Sequence, residues 1–309
     1  MSMLAAYEFW RFQPHVEIWV LVAGLVALGF YVTRVIQPKA VAVGEPPVSR
    51  AQKAWFALGV ATLWIATDWP MHDIAEEYLY AVHMVQHLLL TFIIAPMFLM
   101  ACPTWLARLI LGEGRVRRVI YWLARPIVAA IIFNAVAAFT HWAPVVNLSA
   151  DNGFFHYGVH TTMVFSALLM WMPVVGPVPE LRISLPAQMV YLFFMSVIPT
   201  VPAAWLTFAE GTLYNAYDVP QRLWGVSVAE DQQAAGLIMK IGGGLYLWAI
   251  ITALFFRWSS GQDRRRYRGK LVTAAGSVVD TEDDLLTYDE VAREFDRLGP
   301  APEEDRSPN

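Results

Sequence analysis

The chain has one cysteine, Cys102, among 309 residues. A single thiol excludes an intrachain disulfide and any multi-cysteine metal site. Charge is also scarce. Asp, Glu, Lys and Arg make up 16% of the chain against 57% hydrophobic residues, a balance foreign to soluble domains. The net charge of −4 mostly reflects an acidic C-terminal tail and says little about partners. A basic n-region is missing at the start, where Glu8, Arg11 and His15 precede the first apolar run, so a cleaved signal peptide is not expected. There is no long tandem repeat.

What is abundant is apolar sequence in runs near the ~20 residues that cross a bilayer, with 13 Trp and 12 Tyr suited to its interfaces. The expected fold is an all-α polytopic membrane protein with about seven transmembrane helices. The spans read as Glu17–Ile36, Ala54–Pro70, Tyr78–Ala101, Val119–Thr140, Phe154–Val175, Ala187–Phe208 and Gln233–Trp258. Lys and Arg crowd alternate loops, at Arg34 to Lys53, Arg108 to Arg118, Arg182, and Arg257 to Lys270, while the loops between carry Asp and Glu. That bias predicts the N-terminus outside and the C-terminus in the cytoplasm. Three regions follow: an external segment 1–16, a membrane domain 17–258, and a cytoplasmic tail 259–309. The tail reads as mostly disordered, with a short helix opened by a Thr287/Glu290 capping box.

The chemistry-bearing residues are histidines. His83 and His87 lie in the third expected span, and His156 and His160 open the fifth. Residues four apart share one helix face, roughly 6 Å from each other along the axis, so each pair could reach one ion. Imidazoles inside a membrane segment are costly without a role. All seven histidines, with His15, His72 and His141 included, fall on the expected outer side, and Asp231 begins the last span at the same level. The candidate metal ligands are therefore His83, His87, His156 and His160 first, then Asp231, then His72 and His141 at the rim. Gln86 stands where a zinc protease would carry its glutamate, which removes that reading. Four imidazoles and a carboxylate suit copper, zinc or iron. Thioethers at Met71, Met84, Met163 and Met239 and an oxidising outer compartment lean toward Cu(I), although core packing is the default role of each methionine. Lys240, well inside the last span, is a further candidate, with Asp68 as a possible partner. Cys102 reads as structural.

Taken in order, DWPMHDIAEEYLYAVHMVQHLLLTFIIAPMFLMACP (Asp68–Pro103), HWAPVVN (His141–Asn147), HYGVH (His156–His160), LYNAY (Leu213–Tyr217) and EDQQAAGLIMK (Glu230–Lys240) resemble the multi-span CtaG family of bacterial cytochrome c oxidase assembly factors. The resemblance covers about Trp69 to Leu254. It implies a multi-pass protein of the bacterial inner membrane that helps form active haem–copper oxidase through copper delivery and is not itself an enzyme. The implied partners are oxidase subunits, the lipid bilayer and other copper chaperones, with no nucleic acid. Two alternatives stand beside it. One is a membrane oxidoreductase with bis-histidine haem, His87 and His160 serving as axial ligands. The other is a retinal-type protein with Lys240 as Schiff base, disfavoured because the third span has no carboxylate counter-ion.

Overall fold

The computed structural model describes residues 12–220 and 222–267, together with Arg293, Asp296 and Arg297. Regular structure among them is helical throughout, with no strand. In chain order, α1 spans Val16–Ala42 and α2 spans Arg50–Thr67. The short α3, Met71–Glu77, leads into α4, Tyr80–Ala101. Next come α5 (Thr104–Leu111), α6 (Arg115–Leu123) and α7 (Pro126–Thr140). A short α8, Ala143–Asp151, precedes α9, Gly153–Val175. The long helices α10 (Leu185–Thr207) and α11 (Val228–Ser260) follow.

Five helices, α1, α4, α9, α10 and α11, are long and apolar enough to cross a membrane, and α6 with α7 makes a sixth if the pair counts as one span. That pair corrects the expected continuous span Val119–Thr140, because the chain bends by 74° between its halves. Pro126 opens α7 and Arg125 before it is extended, at φ −61° and ψ 137°. A residue preceding proline is pushed out of the helical region by the ring's Cδ. The expected span Ala54–Pro70 corresponds to α2, which is not among the five. Its 18 residues rise about 27 Å, and Arg50, Gln52 and Lys53 occupy its first turn. The third expected span starts later than read, since Leu79 is extended and separates α3 from α4.

The chain divides into two compact units, Met1–Trp258 and Ser259–Asn309. Within the first, the core is built from Phe92 of α4, Phe133 of α7, Ala167 and Trp171 of α9, Leu192 of α10 and Leu247 of α11. Many large apolar side chains instead face outward, including Phe165, Val201 and Leu245, each more than 60% exposed. An apolar exterior of that extent is compatible with a lipid environment. Three π-helical stretches interrupt the long helices, Val32–Ile36 in α1, Leu89–Ile94 in α4 and Ile238–Gly242 in α11. The last two lie near each other, since a Cβ on Gly242 would lie 3.2 Å from Leu88 and one on Gly243 3.0 Å from the Phe92 ring. Such stretches occur often at functional sites. Of the second unit, the end of the last helix through Tyr267 and three later residues are described, so the Thr287/Glu290 capping box lies outside the described residues.

Candidate metal centre

The histidines of α4 and α9 meet. Helical spacing stacks each pair on one face, with ring centroids 4.3 Å apart for His83 and His87 and again 4.3 Å for His156 and His160. The pairs face each other: His87 lies 4.8 Å from His160 and His83 lies 5.4 Å from it, with ring planes nearly perpendicular. One ligand atom from each of His83, His87 and His160 falls within 4.8 Å of the others, and the same holds for Glu76, His156 and His160. His160 thus belongs to both groups. His83, His87 and His156 are buried, and His160 and Glu76 are partly so.

Glu76, on α3, carries the site's carboxylate. Its Oε1 lies 3.1 Å from His83 Nδ1, 3.1 Å from His156 Nε2 and 3.9 Å from His160 Nε2. Burial alone would raise this carboxyl. The His83 imidazole and the hydrogen bonds from His156 and His83 outweigh it and hold the group well below the usual carboxylate range. With Nδ1 of His83 directed at Glu76, its Nε2 is the atom left to bind an ion, an arrangement by which outer carboxylates orient ligating rings. Ser149 Oγ, 3.1 Å from His156 Nδ1, engages the other nitrogen of that ring.

Both ring nitrogens of His87 and Nε2 of His160 are buried with no hydrogen-bond partner in the protein. An orphaned buried polar atom costs about 1–3 kcal/mol, and three of them on two facing rings mark a place built for something more. Neutral imidazole nitrogens beside one carboxylate are a donor set that fits copper or zinc. The ligand atoms of each group of three lie within 4.8 Å of one another, near the ~4 Å that two ligands of one ion can span at bonds of about 2 Å.

Asp231 is not part of this cluster. Its two oxygens accept from the backbone N–H groups of Tyr80 at 2.8 Å and Ala81 at 2.9 Å. Leu79, the residue ahead of α4, has no side chain able to cap that helix, so a carboxylate from α11 does it instead. Each oxygen of Asp231 is thereby held by a backbone N–H at the start of α4, and Glu76 supplies the carboxylate of the cluster. The His72 ring is 6.2 Å from His156, with its Nδ1 3.3 Å from Gln86 Nε2. Burial lowers the His72 imidazole, partly offset by Glu76. His141 packs 5.6 Å from His87 with Nδ1 held 2.6 Å from the Ala137 carbonyl, and burial pushes it down to about 4. His15, left out of the expected ligands, is 2.5 Å from Asp73 Oδ1, and its ring is 4.6 Å from His72.

Asp68 is not the partner of Lys240. Its Oδ2 accepts from Trp19 and Trp64 indoles at 2.9 and 2.7 Å. Lys240 Nζ donates to the Ser196 carbonyl at 3.3 Å and to Thr200 Oγ1. The remaining motif residues frame the site. Gln232 Oε1 accepts from the backbone of Leu213 and Tyr214. Tyr214 OH donates to the His141 carbonyl, and Tyr217 OH to that of Ala75. Asn147 Oδ1 accepts from Ala216 N.

Comparison with known proteins agrees with this architecture. An uncharacterized protein of Mycobacterium bovis and another of Mycobacterium tuberculosis are each 26% identical to the chain over 247 residues, covering 71% of it. The chain spans about a third of the length of these relatives, 35% in each case. No solved structure matches. A family model described as cytochrome c oxidase caa3 assembly factor matches residues 29–260. The chain therefore belongs to the caa3-type cytochrome c oxidase assembly factor family, Caa3_CtaG.

Proposed function

We propose that the protein holds copper as cargo at His83, His87, His160, His156 and Glu76 while a haem–copper oxidase is assembled. The observation that carries this reading is the set of orphaned nitrogens on His87 and His160 beside a carboxylate-oriented His83. Family membership supplies the oxidase and lipid as its surroundings. In this reading the protein is a carrier and not an enzyme, and it receives the ion from, or passes it among, other copper chaperones. It sits in the bacterial inner membrane with seven spans, the six suggested by length and hydropathy plus α2. Its N-terminus and histidines face outward and its tail faces the cytoplasm, on the strength of the loop charges.

The chain's own residues divide the work. Glu76 fixes the rings of His83 and His156, and His87 and His160 present free nitrogens. His72 and His141 flank the site on two sides. His160 meets His83 and His87 edge to face, and the rings within each pair are tilted 4.3 Å apart, a spacing too close for a macrocycle between them, which favours a small ion over bis-histidine haem.

Purified wild-type protein is expected to bind copper, and His87→Ala or His160→Ala to lose the ion of the histidine–carboxylate site while still inserting in the membrane. Deleting the gene should lower active oxidase and its copper content, with partial rescue by added copper. Normal oxidase copper in the deletion strain would refute the reading.

A further inference from the structure

Beside the histidine cluster the bundle encloses a second cavity, with about 50 Å³ of space for water centres. That is room for an ion or a few waters. Four methionines from four different helices line it: Met84 of α4, Met163 of α9, Met195 of α10 and Met239 of α11. The first three are almost fully buried, at 2%, 3% and 0% exposure. Methionine is a common gap-filler in a core, and here four methionine side chains line a gap that they leave unfilled, with Met195 Sδ accepting from Asn134 Nδ2 at 3.5 Å. Asp and Glu are absent from its lining, whereas the neighbouring pocket contains Glu76.

His87 lines both spaces. One of its nitrogens serves the cluster with His83 and His160, and its second nitrogen is equally buried and also has no partner. His141 lines the methionine cavity too, and with its Nδ1 held by the Ala137 carbonyl, Nε2 is the nitrogen available to an ion.

We infer that this cavity is a second copper site, a thioether-rich position for Cu(I) adjoining the histidine–carboxylate site, with His87 shared between them. The inference rests on the copper reading above and adds a place and an oxidation state to it. Soft thioethers select Cu(I). Lys240 also lines the cavity, and its ammonium repels a divalent ion twice as strongly as a monovalent one at the same distance. The same repulsion keeps the site weak enough to release its ion. Transfer between the two positions is ligand exchange at His87, from thioethers to imidazoles, and the copper stays Cu(I) without electron transfer.

The test is X-ray absorption at the copper edge on full-length protein loaded anaerobically with Cu(I), with ions counted by competition against a Cu(I) chelator. Wild type is expected to show both sulfur and nitrogen scatterers and two ions per chain. The Met84→Leu/Met163→Leu double variant, nearly volume-conserving and therefore tolerated by the core, removes two of the four thioethers and should lower both the sulfur scatterers per copper and the Cu(I) affinity of the second site. His83→Ala/His160→Ala should lose the nitrogen-bound ion and keep sulfur coordination. Lys240→Met should tighten Cu(I) binding several-fold. Nitrogen coordination alone in the wild type overturns this inference and leaves the histidine site standing, and that spectrum decides even if a variant fails to fold. Absence of any bound copper overturns both.

Discussion

One oxygen of Glu76 meets two imidazoles, so the residue sets the direction of both histidine pairs at once. Glu76→Gln keeps the shape and removes the charge. Copper affinity is expected to fall about 10–100-fold, the usual effect of losing a group that orients metal ligands, as measured by chelator competition. Insertion and thermal stability should change little. The histidines themselves were legible in the sequence because a four-residue spacing fixes a helix face whatever surrounds it. Glu76 was hidden because the chain breaks at Leu79, and reading it as loop charge discarded it. Ser149 was hidden in the same way, since an extended Asn152 separates its helix from that of His156, and no helical periodicity links residues across such a break.

At the scale of helices, two residues of α11 explain how the site is held. Asp231 caps α4, and Gly236 lets α11 approach α10 so closely that a Cβ there would lie 2.8 Å from the Ala203 carbonyl oxygen. Asp231→Ala leaves two buried N–H groups without an acceptor, and charged hydrogen bonds contribute about 1.5–3 kcal/mol each. The variant is expected to unfold at lower temperature in detergent. Asp231→Asn, with one acceptor oxygen, should fall between it and wild type. Gly236→Ala forces a backbone shift and should destabilise by about 1–3 kcal/mol, the range for overpacking. Periodicity read the helices correctly as apolar runs, but it could not see the break before Pro126 or the one at Leu79. Both are decided by a single backbone conformation rather than by hydropathy. The role of Asp231 was equally hidden, since a cap supplied from 151 residues away leaves no local pattern.

Across the whole molecule, the seven histidines form one unbroken line of neighbouring rings. It runs from His15 through His72 and His156 to His83 and His160, and on through His87 to His141. Their expected placement toward one side of the membrane was the strongest whole-chain signal in the sequence. Reporter fusions after Arg115 and after Asn147 are expected to report opposite sides of the membrane. Both on the same side would place the histidines and the basic loops together and end the external-site reading. The attachment of Asp231 to Tyr80 and Ala81 carries a consequence for synthesis. A ribosome that has already delivered both histidine pairs to the membrane has yet to translate the residue that fastens the first of them. On the copper reading proposed above, loading is expected to follow translation, and a chain stopped before Val228 should insert normally yet retain no copper on purification.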